Sequence, residues 1–441
     1  MGVFRLILLL LTCFVGSVSH SEIRTSLVAQ GLSFISPDYE NTKNKNFAFI
    51  GATLRSRTNA KNEDAFKINT TALFSPGNNV LSYINLREIY FSSQTGSRSH
   101  LHIGRKLHNW SSLDSIWNLG VYQPQFKWNP LTPENQGLTG IFWNKSESGY
   151  GLTLFGSPLY IPDQGASYEL KDGQFQASNP WFQTPPQNIR FQNQLLPIDY
   201  NVERPETSSV VFQTLLGAQL RLGESKGSFA HFSAMAKPAN QLALGYKGVL
   251  VTTRVRVDVI PKVYFENNYA ADFGYRADWG VAQISAIYNQ PRSPSFDDGV
   301  NRPVFKESLM WGPQILYRMD PIDLFLGYLD TSGGEITDSG PDVSADRKSL
   351  SERFLYKQAV LLQANYGEVF QKTLQYNASL QYKFSTKEGF REIRMKNKMN
   401  LRGPWAFWLD LILIDTDSAK LSNMESYKSQ DQVLLGVSYD L

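Results

Sequence analysis

The sequence predicts an all-β fold: one closed antiparallel transmembrane β-barrel of about 18 strands (roughly 16–20) with long extracellular loops. Three observations predict it. Apolar and polar side chains alternate with period two in segments of about ten residues, the length a tilted membrane-crossing strand needs. The 441-residue chain is 13% aromatic, yet its mean hydropathy is −0.30. Beyond the N-terminus no uncharged apolar run approaches the ~20 residues of a spanning helix. The best, Ala406 to Ile414, contains Asp410. Length alone would suggest about three soluble domains. The aromatic content excludes a disordered chain.

The N-terminus predicts an address. Arg5 precedes the apolar stretch Leu6–Val15, and Gly16-Ser17-Val18-Ser19-His20-Ser21 follows. This is the pattern of a secretory signal peptide, 1–21, cleaved after Ser19 or Ser21. The apolar run is too short for a membrane anchor, and Leu11-Thr12 before Cys13 fits a lipoprotein site poorly. Removing 21 of 441 residues leaves 420, with no cysteine. Such a secreted chain is held by its fold alone. Its net charge falls from +3 to +2 with Arg5, too small to argue for nucleic acid.

Residues 22–441 then form the barrel, strand by strand. Phe66, Ile68, Thr70, Ala72 and Phe74 oppose Lys67, Asn69 and Thr71. Val255, Val257 and Val259 oppose Arg254, Arg256 and Asp258, and Tyr269, Ala271, Phe273 and Tyr275 oppose Asp272 and Arg276. Leu374, Tyr376, Ala378, Leu380, Tyr382 and Phe384 share one face, with Gln375, Asn377, Ser379, Gln381, Lys383 and Ser385 on the other. Ile393, Met395, Met399 and Leu401 oppose Glu392, Arg394, Lys396, Lys398 and Asn400. Trp405, Phe407, Leu409, Leu411 and Leu413 oppose the face of Asp410. Alternate residues of a strand point to opposite faces, so each segment has one oily and one wet side. A soluble sandwich alternates too. Segment length, segment number and aromatics toward strand ends (Tyr90, Phe155, Tyr288, Trp311, Tyr317, Tyr366, Trp405) favour the membrane barrel. An open sheet edge in lipid is costly, so the sheet must close.

The chain end alternates to its last residue: Val433, Leu435, Val437, Tyr439, Leu441. This resembles the C-terminal strand signal of bacterial outer-membrane β-barrels, which usually end in Phe or Trp; Leu441 departs from that. The resemblance implies a Gram-negative outer-membrane location and contact with the barrel-assembly machinery. It also implies outer-membrane lipids and lipopolysaccharide as surroundings, a porin-like channel, and the possibility of a homotrimer.

With both termini periplasmic, the short turns expected are Asn59–Glu63, Gly223–Gly227, Ala277–Trp279, Met319–Ile322 and Arg402–Trp405. Long gaps at 109–137, 158–208, 290–306, 331–353 and 416–430 all fall outside, provided Asn240–Phe265 splits into two barrel strands. In the first gap, Ser111 to Gly120 has a serine cap, an early Asp114 and a terminal Gly, the signature of a short helix around Trp117. That loop either narrows the bore or stays external. The loop 158–208 holds Trp181 and Phe182 among prolines, which suggests an ordered lid or constriction. Asp338, Asp342 and Asp346 match no calcium-loop spacing and are expected to be solvated.

Few residues point to chemistry. Arg394, Lys396 and Lys398 share one strand face, each about 6.6–7 Å from the next. Like charges that close need water or anions, so the ladder should face a wet lumen; Arg254 and Arg256 repeat the pattern. The alternatives are a basic stripe that attracts anions and plain lumen polarity balanced by nearby acids. His100, His102 and His108 share a face with Lys106. A histidine pair at that spacing could chelate a metal, but lumen lining is the simpler explanation, and neither a metal nor a cofactor is expected. His231 and Ser233 have the spacing of the catalytic pair of outer-membrane phospholipase A, without the Asn-Gly that follows it there. Here they should face the lumen rather than lipid, and no third orienting group is apparent.

The expected function is passive diffusion of small hydrophilic solutes through a porin-like channel, with mild anion preference and no enzymatic activity. A second reading is a gated transport, export or ligand-binding barrel with a loop plug; a third is a lipid-modifying enzyme.

Overall fold

The computed structural model describes residues 23–37, 45–56, 65–176, 179–338, 353–370, 374–418, 420 and 422–441. The N-terminal segment 1–21, the turn Asn59–Glu63, Asp342 and Asp346 lie outside the described residues. Eighteen strands form one antiparallel sheet. They are β1 Ile23–Phe34, β2 Asn46–Ser56, β3 Ala65–Phe74, β4 Tyr83–Gly96, β5 Ser99–Lys106, β6 Leu138–Glu147, β7 Tyr150–Ser157, β8 Leu215–Gly223 and β9 Gly227–Pro238. There follow β10 Phe265–Ala277, β11 Gly280–Arg292, β12 Ser308–Met319, β13 Ile322–Gly333, β14 Gln358–Phe370, β15 Leu374–Ser385, β16 Phe390–Asn400, β17 Trp405–Thr416 and β18 Gln432–Asp440. Each pairs with its neighbour in sequence, and β18 pairs with β1 from Ser26 opposite Asp440 to Phe34 opposite Gln432. The barrel is closed.

The period-two pattern sets which side faces lipid. Leu380, Ile393, Phe407 and Leu435 are exposed on the outside, while Ala359, Ile412, Asp272 and Glu392 on alternate positions are buried within. Trp311, Tyr317 and Trp405 are exposed on the outer surface, as a membrane-interface aromatic would be. Phe155 is a correction: it is 4% exposed and packs at a tilt against Phe142 inside the bore. Tyr90 is another, meeting His102 and the Lys106 ammonium. Both sit one pleat off the lipid face.

Gly104 makes β5 irregular. Its φ is +129°, and a Cβ there would lie 2.4 Å from the Ile89 carbonyl oxygen. This bend lets consecutive Arg105 and Lys106 both turn inward, Arg105 donating to Gln136 at 2.8 Å and Lys106 lying over the Phe142 ring.

Connections at the end bearing the termini are short: 97–98, 148–149, 224–226, 278–279, 320–321 and 401–404. The long ones all leave the other end. The strand number is the expected 18, but the segment Asn240–Phe265 does not supply two of them. Its hairpin, Ala243–Val251 with Arg254–Lys262, stays out of the barrel. It pairs in parallel with Gln194–Val202 and, through it, with Asn188–Phe191, making a separate four-stranded sheet in the external loops. Alternation cannot tell a half-buried loop strand from a barrel strand, because both have one dry face.

Candidate functional site: a plugged bore and its remaining passage

The loop 107–137 folds into the barrel. Its helix α1, Ser112–Trp117, ends at Asn118, which takes left-handed backbone with φ 51°. Asp114, buried in the first turn, accepts from the backbone N–H of Val121 at 3.0 Å and of Tyr122 at 3.1 Å. Burial pushes its carboxyl pKa up, and those N–H groups pull the other way. Trp110, Leu113 and Tyr122 are each 1% exposed or less. Burying such side chains contributes roughly 1.5–3 kcal/mol each. Trp110 stacks on Tyr122 with 6.1 Å between ring centres.

Polar groups of the wall hold the plug by its backbone. Gln219 of β8 donates to the carbonyls of Asn109 at 2.7 Å and Trp110 at 3.1 Å. The Ser233 hydroxyl on β9 donates to the Trp110 carbonyl. Asp272 of β10 accepts the Ser112 N–H at 3.1 Å. Asn240 donates to the carbonyls of Gly120 and Gln123. Behind it lies a buried charge group: Lys237, 0% exposed, meets Glu266 at 2.8 Å, and Arg353 from loop 334–357 meets the same carboxylate at 2.9 Å.

A second set of aromatics fills the bore beside β1–β3. Trp128 of the plug and Trp181 of loop 158–214 lie 4.6 Å apart between ring centres, against Phe34 and Phe49. Trp117, 2% exposed, packs edge-on to Tyr356. Phe182 instead stacks on Tyr168 within its own loop, 4.8 Å away, next to Phe175.

Space remains along the β13–β17 wall. An outer cavity of about 680 Å³ lies between the plug residues Trp117 and Leu131, the loop residues Arg353 and Tyr427, and the wall residues Lys383 and Arg394. An inner cavity of about 700 Å³ opens toward the short turns, lined by Arg318, Asp323, Asn365, Ser379, Lys398 and Asp410. Lys396 lines both. Arg394 is forked onto Asp410, at 2.7 and 3.2 Å, and Lys383 meets Glu392 at 3.1 Å. Among the described residues, Lys396 and Lys398 have no ion pair.

The other residues singled out in the sequence are placed as follows. His100 and His102 face the bore, with Asn144 3.0 Å from His102 Nε2. His108 meets Gln219 at 2.9 Å. Among the described residues no group of three or more His, Cys, Asp or Glu could hold a metal ion. Arg254 and Arg256 are the clear correction. They lie on the external loop sheet, paired with Asp199 at 2.7 Å and Asp258 at 2.9 Å, and line no bore. Hydrogen bonding from Asn201 and then Arg256 holds the Asp258 carboxyl below its usual range. Val433, Leu435, Val437 and Tyr439 alternate on β18, and the Leu441 N–H donates to the Thr25 carbonyl. Sequence reasoning missed Lys127, Arg318 and Arg353 as cavity-lining cations, because loops and strand ends carry no periodic signal.

No protein-family model matches the chain, and no curated protein matches it. Solved structures of similar fold include Acinetobacter baumannii OccAB1, 10% identical over 96% of each chain, with a TM-score of 0.48. Pseudomonas aeruginosa OpdL is 11% identical over 96% of this chain and 99% of that one, at 0.46. The outer membrane protein opdK from Pseudomonas aeruginosa is 12% identical over 95% and 99%, at 0.46. Likeness at this identity and TM-score adds nothing to the barrel, which stands on its own strand pairing.

Proposed function

We propose that the chain is a channel of the bacterial outer membrane for passive diffusion of small hydrophilic solutes, with a mild preference for anions. One observation carries this reading: the cavities on either side of the plug level share Lys396 as a wall residue. A route along β13–β17 is therefore lined by water-facing polar groups and by Lys396 and Lys398, which have no ion pair among the described residues. Fixed charge in a narrow bore attracts counter-charged solutes. The rest of the section is filled, so the route is narrow for an 18-strand barrel. Such a barrel has room for more than its own side chains.

The same reading has the N-terminal segment removed on export and the last strand recognised by the assembly machinery. It places the outer face in lipid and lipopolysaccharide, and it assigns no catalysis. Liposomes carrying the purified protein should swell in small neutral and anionic solutes, and faster than empty ones. Swelling equal to that of empty liposomes would contradict the proposal. A gated barrel is favoured by the plug's dense packing, and its mark would be current that appears only after residues 112–133 are deleted.

A further inference from the structure

We propose that Arg221, His231 and Arg276 form a binding site for a phosphoryl-type oxyanion, on the wall away from the β13–β17 passage. The three residues sit on adjacent strands β8, β9 and β10. Arg221 is directly opposite His231, and His231 directly opposite Asp272. The plug fixes their depth. Gln219, Ser233 and Asp272 bind its backbone, and Arg221, His231 and Arg276 lie farther along the same faces toward the short turns. The cluster is therefore beneath the plug, open to the periplasmic end.

The cations there lack counter-charge. Among the described residues neither Arg221 nor Arg276 has an ion pair. Arg276 rests on the Phe229 ring at 3.9 Å and points Nη2 at His231 Nε2, 3.4 Å away. Its Nη1 reaches only the Glu224 carbonyl, at 3.5 Å. Asp272, the carboxylate opposite His231, is 2% exposed and already takes the Ser112 N–H; His231 Nδ1 is 3.9 Å from it. At the turn beyond, Lys226 and Asp278 pair with each other. Gly151 leaves room for the Arg221 fork: even a Cβ there would stand 3.4 Å from Nε.

Strands two apart in a sheet are separated by about 10 Å. Arg276 is rooted four residues beyond Asp272, opposite Gly227, and its Nη2 reaches back to His231, the residue opposite Arg221, so the two guanidinium forks can meet on one tetrahedral anion beside the imidazole. Arginine forks bind phosphate oxygens in pairs. A dianion answers both charges, whereas a carboxylate answers one. The ligand is inorganic phosphate or a small phosphomonoester, and both offer the same terminal group.

Titration calorimetry on the folded barrel in detergent tests this, with inorganic phosphate, phenyl phosphate and acetate as probes. Saturable phosphate binding is expected, at least tenfold weaker in Arg221→Gln and Arg276→Gln, with acetate weaker than phosphate in the parent protein. Phenyl phosphate binding more tightly than phosphate identifies a phosphomonoester site, and the reverse identifies free phosphate. Arg221→Lys keeps the charge and loses the fork, so it should weaken binding even where the Gln variant fails to fold. No saturable binding, or affinity that survives all three variants and falls instead with Lys396→Gln, would overturn the proposal.

Discussion

Replacing Asp114 by alanine should loosen the plug without opening the barrel. The carboxylate is 4% exposed and accepts two backbone N–H groups, from Val121 and Tyr122. A buried donor left without a partner costs about 1–3 kcal/mol. Relief of the buried carboxylate offsets part of the loss, leaving a net on the order of 3 kcal/mol against the inserted loop. At ~1.4 kcal/mol per factor of ten, the displaced state gains about a hundredfold in population. Asp114→Asn should be milder: it keeps one acceptor, and the raised carboxyl pKa means that charge is not what this position favours. Because the folded value lies above the unfolded one, Asp114 supports the inserted loop most below the unfolded pKa. That support declines as pH rises through the folded value. Single-channel recording, with protease cutting of loop 107–137 as a second readout, should show a noisier, larger conductance in Asp114→Ala. Current and cutting identical to the parent protein would refute the reasoning.

Other expectations follow from the same geometry. Glu266→Gln leaves Lys237 and Arg353 buried without their carboxylate, a loss of about 3–5 kcal/mol for a broken buried pair; the barrel's heat-modified gel shift should occur at lower temperature. Gly436→Ala places a Cβ 2.1 Å from Trp408 Cε2, so the ring must move in the inner cavity, and single-channel current should change in size. Lys396→Glu with Lys398→Glu should move the reversal potential toward cations in a salt gradient; an unchanged value removes the anion preference. Ser233→Ala should leave any lipid hydrolysis by the preparation untouched, because the hydroxyl is committed to the Trp110 carbonyl.

The barrel was legible in the sequence because each wall strand borders lipid on one side and polar groups on the other. Leu380 and Lys383, or Ile393 and Lys396, state that difference in single residues. Arg254 and Arg256 misled for the same reason. Their strand is also wet on one face, and only its partner Gln194–Val202 shows that it lies outside the barrel. The start of α1 was legible at Ser111 and Asp114. Whether the loop enters the bore was not, because Gln219, Ser233 and Asp272 make that choice, and they lie at least 100 residues away. The pairing of Arg394 was also beyond reach: the register sets Lys396 opposite Asp410, yet Arg394 takes that carboxylate diagonally and leaves Lys396 with no ion pair among the described residues.

The claim on which the account rests is that solutes pass along the wall at Lys396. The sequence has a single cysteine, Cys13, in the segment expected to be removed, so Lys396→Cys gives a unique thiol. In planar bilayers that variant should conduct, and a charged methanethiosulfonate reagent added from either side should lower its current in one step. No conductance, or a current indifferent to modification, would contradict the account.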